Sequence, residues 1–132
     1  MSKSNNRSIP FLAIEVYMRY LVFIILLFSV SLTYAGKYTA WATPTKVEVL
    51  HGAGVMVDGN FGNPMNCSRS NRFFVNIDNP QYREIYSTIL SAIATGSRVS
   101  VYIHECAPVT WFASSSETFN ILTKSGALRF AP

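Results

Sequence analysis

The chain has 132 residues, of which 49% are hydrophobic and 14% are charged, and its formal net charge is +4. A chain of this length is predicted to form a single domain, and it lacks the basic runs that would indicate nucleic-acid binding. Much of the positive charge lies near the N-terminus, because residues 36–132 hold eight basic and six acidic residues, a net charge of +2.

The most apolar stretch comprises residues 20–32, in which only Ser29 and Ser31 are polar. A helix needs about 20 apolar residues to span the hydrocarbon core of a membrane. The stretch is too short for a comfortable span, and its length is typical of the hydrophobic region of a signal peptide.

The flanks of this stretch also suit a signal peptide. Arg19 precedes it, and small residues at positions 33 and 35 suit cleavage after Ala35. We therefore predict that residues 1–35 are a leader, the alternative being an uncleaved anchor. Because the segment before Met18 is long for a leader, we expect translation to start at Met18. The mature chain, residues 36–132, is then predicted to be exported to the periplasm or secreted, without a stable membrane anchor.

Three short segments within residues 45–78 are typical of β-strands. In TKVEVLHGAG, Val47 and Val49 alternate with charged residues until glycine ends the pattern. GVMVDG places Val55 and Val57 on one face, and RFFVNID is dense in aromatic and β-branched residues. The intervening NFGNPMNCSRSN is rich in Asn, Gly, Pro and Ser, which predicts a loop.

The next segment, NPQYREIYSTILSAIATGS, changes from a period of two to a period of 3.6 and predicts an amphipathic helix. Asn79 is a suitable N-cap, Pro80 suits the first helical position, and Gly96 suits a left-handed C′ residue. The predicted apolar face consists of Tyr82, Ile85, Tyr86, Ile89, Leu90 and Ile93.

Two further strands are predicted after the helix. RVSVYIHEC alternates between one face with Val99, Val101 and Ile103 and another with Ser100, Tyr102 and His104. A second loop, APVTWFASSS, separates it from ETFNILTKS, in which Phe119 and Ile121 are expected to point inward.

The element order predicts a mainly β domain with one helix. Five strands with a helix between strands 3 and 4 indicate a small five-stranded Greek-key barrel of the oligonucleotide- and oligosaccharide-binding (OB) type. The alternative is an open α+β sheet with one covering helix.

The only cysteines, Cys67 and Cys106, both lie in the predicted mature chain. Two cysteines in an exported protein most simply form one disulfide. Their spacing matches neither a zinc site nor a CxxC redox pair.

The segment IYSTILSAIATGSRVSVYIHEC, together with the NPMNCS loop, resembles a family of small exported bacterial domains. These domains are distantly similar to the cell-binding B subunits of subtilase-type AB5 toxins. The resemblance covers about residues 41–126. It implies an OB-type fold and export, and for the toxin subunits it implies pentamers that bind sialylated glycans.

The sequence contains no recognisable catalytic motif. The two histidines, His51 and His104, have no evident third metal ligand, and the chain has neither a phosphate-binding loop nor a dinucleotide fingerprint. We therefore predict a non-catalytic protein without a metal or another cofactor.

Two loops contain side chains that suit sugar binding, because an aromatic ring offers a flat apolar contact and polar groups offer directional hydrogen bonds. The disulfide is expected to hold these loops together. The predicted ligand-binding residues are Asn63, Asn66, Ser68, Arg69, Trp111, Ser114 and Ser115. The predicted function is a binding module for cell-surface glycan. The alternative is a periplasmic protein-interaction or structural domain, such as an inhibitor or an assembly partner.

Overall fold

A computed structural model describes residues 10–27, 35–112 and 116–132, and the chain divides into two compact units, 1–33 and 34–132. The first unit contains helix α1, Phe11–Leu27, which includes the first part of the predicted signal-peptide region. The side chains of α1 are exposed from its start to Ile25. Neither of the helices in the described ranges is long and apolar enough to cross a membrane.

The described part of the second unit consists of short strands and one helix. In chain order these are β1 (Lys37–Tyr38), β2 (Lys46–Leu50), β3 (Gly54–Asp58), β4 (Arg72–Asn76), α2 (Tyr82–Thr95), β5 (Arg98–Ile103), β6 (Glu105–Ala107), β7 (Phe119–Leu122) and β8 (Leu128–Ala131).

The strands form two sheets. A three-stranded sheet has the order β1-β5-β8, and a five-stranded sheet has the order β2-β3-β4-β7-β6. All pairs are antiparallel except β4 with β7, in which Phe74 lies opposite Ile121. One residue, His104, separates β5 from β6, so the chain passes from one sheet to the other at that point.

Successive side chains of the central strands point to opposite faces of the five-stranded sheet, and this divides the core into two clusters. The larger cluster lies where the three-stranded sheet, one face of the five-stranded sheet and α2 meet, and it includes Val55 and Val75. The smaller cluster covers the opposite face of the five-stranded sheet and includes Met56 and Phe74. Strands β3 and β4 are therefore buried on both faces, and the loop that follows β6 covers the second face through Val109.

The prediction of a closed five-stranded barrel is wrong, because the described strands form two open sheets. To close a barrel, the free edge of β2 would have to pair with the strand at the other end of the sheet. Among the described strands, β2 does not pair with β6 at that other end, and β5 lies in a separate sheet, where β1 and β8 pair with its two edges and Ala42 bridges to Val99. The alternative of a single open sheet under one helix also differs from this two-sheet arrangement.

Helix α2 begins later than predicted. Asn79 lies in the turn before the helix, where its Oδ1 accepts a hydrogen bond from the backbone N–H of Gln81, and Gln81 occupies the N-cap position. The predicted C-terminus is confirmed, since Gly96 has φ 70° and its N–H donates to the carbonyl of Ala92. The buried face of the helix is narrower than predicted and consists of Ile85, Ile89 and Ala92, whereas Leu90 and Ile93 are exposed.

Candidate functional site

The predicted disulfide is confirmed. Cys67 in the loop between β3 and β4 is bonded to Cys106 in β6, with a Cα–Cα distance of 5.5 Å. The bond ties this loop to the edge strand of the five-stranded sheet. A disulfide of this kind is compatible with an oxidising environment outside the cytoplasm.

Two asparagine side chains order the loop around the disulfide. The amide of Asn63 donates to the carbonyl of Cys67 at 2.7 Å, and its Oδ1 accepts the N–H of Cys67 at 2.9 Å. The same Oδ1 accepts a hydrogen bond from Nδ2 of Asn120, a fully buried residue of β7, at 3.2 Å. Oδ1 of Asn120 in turn lies 3.3 Å from Sγ of Cys67. Asn63 is therefore a structural residue, and its hydrogen-bonding groups are used within the protein.

Ser68 and Arg69 connect the Cys67 loop to the segment just before β7. The hydroxyl of Ser68 accepts a hydrogen bond from the N–H of Thr118, and the N–H of Ser68 donates to the hydroxyl of Thr118. Arg69 forms an ion pair with Glu117 at 2.5 Å. These contacts tie the Cys67 loop to the two residues that precede β7, and they use polar groups that the sequence assigned to a ligand.

Trp111 lies against a different part of the fold. Its indole N–H donates to the carbonyl of His51, in the turn between β2 and β3, at 3.0 Å. The ring is 59% exposed. The described contacts therefore attach Trp111 to the β2–β3 turn and not to the Cys67 loop. Of the other predicted binding residues, Asn66 is exposed, and Ser114 and Ser115 lie outside the described residues.

A second set of aromatic side chains lies on the outer face of the three-stranded sheet. We call Tyr38, Trp41, Tyr102 and Arg129 the aromatic face. The rings of Tyr38 and Tyr102 pack edge to face with centroids 4.8 Å apart. The guanidinium carbon of Arg129 lies 3.5 Å from the ring centroid of Tyr38 and 5.1 Å from that of Trp41. Tyr38 and Trp41 are 41% and 40% exposed.

The small size of the Ser100 side chain allows Arg129 to reach the aromatic rings. Ser100 lies on β5 opposite Arg129 of β8, and it is fully buried. Its hydroxyl donates to the carbonyl of Thr39, which fixes the segment that carries the two flanking rings. Because Ser100 is short, the Arg129 side chain crosses over β5 and reaches Tyr38 on the other side of the sheet.

Part of the aromatic face could be predicted from the sequence. The alternation in RVSVYIHEC correctly placed Ser100 and Tyr102 on the side opposite the core. Tyr38 and Trp41 precede the first strand that the sequence predicted, and Arg129 follows the last, so no local pattern connected them. Their association depends on β1 and β8, which pair with opposite edges of β5.

Among the described ion pairs, none balances the positive charge of Arg129 on the aromatic face. Arg69 pairs with Glu117, and Arg72 pairs with Asp58 at 3.1 Å. Within residues 35–112 and 116–132, the ion pairs do not include Arg129, although those ranges contain every acidic residue that follows position 35. Arg129 is held by aromatic rings and by a contact of 3.5 Å between its Nη2 and the Ser100 hydroxyl.

The two histidines lie in different parts of the fold, His51 between β2 and β3 and His104 between β5 and β6. Nε2 of His104 lies 3.2 Å from the carbonyl of Ser125, and His51 is exposed in the β2–β3 turn. No group of three or more His, Cys, Asp or Glu side chains that could hold a metal occurs among the described residues.

Comparison of the chain with protein-family models, with curated proteins and with solved structures finds no match.

Proposed function

We propose that the mature chain is a non-catalytic, exported domain that binds glycan through the aromatic face. The observation that carries this proposal is the pair of partly exposed rings, Tyr38 and Trp41, that both lie close to the guanidinium of Arg129. The disulfide and the predicted leader support export to the periplasm or the cell exterior.

The composition of the face suits a sugar better than it suits an apolar ligand. A pyranose ring has an apolar face that packs on an aromatic ring, and hydroxyl groups around its edge that need hydrogen-bond partners. Trp41 and Tyr38 offer apolar contact area, while the Arg129 guanidinium and the Tyr38 and Tyr102 hydroxyl groups offer polar partners nearby.

The face replaces the loop site in this proposal, because three of the predicted loop residues, Asn63, Ser68 and Arg69, use their polar groups within the protein. Asn63 holds the backbone of Cys67, and Ser68 holds Thr118. A ligand at the loops would have to displace those internal hydrogen bonds. At the aromatic face, a ligand would meet side chains that are exposed and already ordered by stacking.

The two tryptophans allow a matched test. The protein is produced from its full sequence with its own leader, recovered from the periplasm of a bacterial host, and applied to a glycan array. Trp41→Ala is expected to weaken binding about tenfold or more, and because the residue is 40% exposed the variant should remain folded, which a thermal melt checks.

Trp111→Ala is the control, because Trp111 is also exposed but lies at the β2–β3 turn. It is expected to leave glycan binding unchanged. Loss of binding in Trp111→Ala with normal binding in Trp41→Ala would place the site at the loops and refute the aromatic face. A folded wild-type protein that binds no glycan on the array would refute the function.

A further inference from the structure

We propose that the aromatic face recognises an anionic group on its saccharide ligand, and that the guanidinium of Arg129 pairs with that group. This inference rests on the proposed glycan-binding function and adds the chemical class of the ligand. The shared chemistry is an oxygen anion, which a uronic-acid carboxylate or a sulfate ester could supply.

Among the described contacts, Arg129 is ordered by aromatic rings and not by a carboxylate. Two arginines of this domain are held by carboxylates, Arg69 by Glu117 and Arg72 by Asp58. Arg129 is held by stacking on Tyr38, at 3.5 Å from the ring centroid, and by its proximity to Trp41. Stacking fixes the position of the cation but does not neutralise its charge.

The geometry of stacking leaves the hydrogen-bonding edge of the guanidinium available. The group is planar and carries five N–H donors that lie in its plane, so packing a ring against its face does not consume them. The one polar contact described for these donors is the long contact of 3.5 Å with Ser100. Since Arg129 is exposed, the remaining donors can form a paired hydrogen bond with two oxygens of one anionic group.

Preorganisation of the Arg129 side chain favours the binding of an anionic group. A flexible arginine loses side-chain entropy when it binds an anion, whereas stacking between rings has already restricted Arg129. Hydrogen bonds to charged groups are also stronger than neutral ones. We therefore expect an acidic saccharide to bind at least about tenfold more tightly than the neutral saccharide with the same backbone.

The test uses a glycan array on which each neutral backbone is printed beside its sulfated and its uronic-acid form. Wild-type protein, Arg129→Gln, Arg129→Lys and Arg98→Gln are compared at low and high salt, after a thermal melt has established that each is folded. Arg98 is the matched control, because it is an exposed arginine in the same sheet, opposite Ala131.

We expect wild-type protein to bind the acidic saccharides more tightly than the neutral ones, and we expect high salt to reduce that preference. Arg129→Gln should remove the preference and leave binding to the neutral forms detectable. Arg129→Lys should keep part of it, because lysine retains the charge without the planar fork. Arg98→Gln should behave as wild type. The relative binding of sulfated and uronic-acid forms identifies which anion the face accepts.

Three results would overturn the inference while leaving glycan binding intact: equal binding to neutral and acidic forms, a preference that survives Arg129→Gln, or a preference that is lost in Arg98→Gln. A folded wild-type protein that binds none of the printed saccharides would instead refute the proposed function, and the inference would fall with it.

Discussion

Replacement of Gly96 measures the cost of ending α2 in a left-handed residue. Gly96 has φ 70° and ψ 16°, a conformation that costs L-residues about 1–2 kcal/mol. A Cβ added at this position meets no atom within 4 Å, so the penalty comes from the backbone conformation and not from a steric clash. The position therefore separates backbone strain from crowding.

Gly96→Ala is expected to lower the free energy of unfolding by about 1 kcal/mol, since the reduced freedom of the unfolded chain offsets part of the strain. Gly96→Val should cost about 2 kcal/mol or more, because a branched side chain at positive φ is a stronger outlier. For a domain of this size, about 1 kcal/mol lowers the melting temperature by about 4–8 °C. Circular dichroism during thermal melting measures both effects.

Gly96→Asn is the control, because asparagine adopts the left-handed conformation more readily than other residues with a side chain. It should melt closer to the wild type than Gly96→Ala does. If Gly96→Val melts within about 2 °C of the wild type, α2 does not end in a left-handed residue at this position, and the reasoning fails.

Four other changes test different parts of the domain. Replacing Cys67 and Cys106 together with serine should destabilise the protein by about 4 kcal/mol in the chain-entropy model for a loop of this length, as measured by denaturant unfolding; a loss below about 1 kcal/mol would contradict it. Asn120→Ala removes the buried amide that lies beside the disulfide and should cost about 1–3 kcal/mol in the same assay, whereas an unchanged midpoint would mean that its hydrogen bond contributes nothing. Trp111→Ala removes one exposed hydrogen bond and should cost about 1 kcal/mol, while a loss of several kcal/mol would show that the ring belongs to the core. Burial, and secondarily the neighbouring tyrosine on α2, raises the pKa of the Tyr82 hydroxyl above 10.0. The stability that the neutral hydroxyl contributes is therefore present below pH 10.0 and is lost as the pH rises through the folded-state pKa. Tyr82→Phe should make the melting temperature fall less at alkaline pH, and an unaltered pH profile would refute this.

Local patterns predicted the elements that are stabilised by their own sequence. Helix α2 and strands β3, β4 and β7 were found because period and composition mark a buried face. The same reasoning was less reliable at β2, where Val49 alternates with charged residues but is 64% exposed, because β2 is an edge strand. The N-terminal boundary of α2 was also misplaced by two residues, since Asn79 uses its side chain in the preceding turn.

Strands β1 and β8 were not predicted, because they consist of two and four residues and are stabilised by pairing with β5. Because β1 and β8 were missed, the prediction differed from the structure in two ways, in the expected barrel and in the location of the candidate site. Without them, the edges of β5 were treated as free and a closed barrel was expected. The aromatic face was also missed, because Tyr38 and Arg129 are distant in sequence and meet across β5. The disulfide could be predicted because the chain contains two cysteines and therefore one intramolecular pairing.

The parallel pairing of β4 with β7 constrains the order in which this domain can assemble. Strand β7 comes late in the chain, yet it occupies an interior position between β4 and β6, and Phe73 lies opposite Asn120. Contacts between residues so far apart in sequence form slowly, because a long loop must close first. A chain that folds from its N-terminus can form the β2–β3–β4 meander early, but the edge of β4 then stays unpaired until β7 arrives. During that interval the unpaired edge is open to strands of other chains, so chaperones that shield strand edges should raise the yield of this protein.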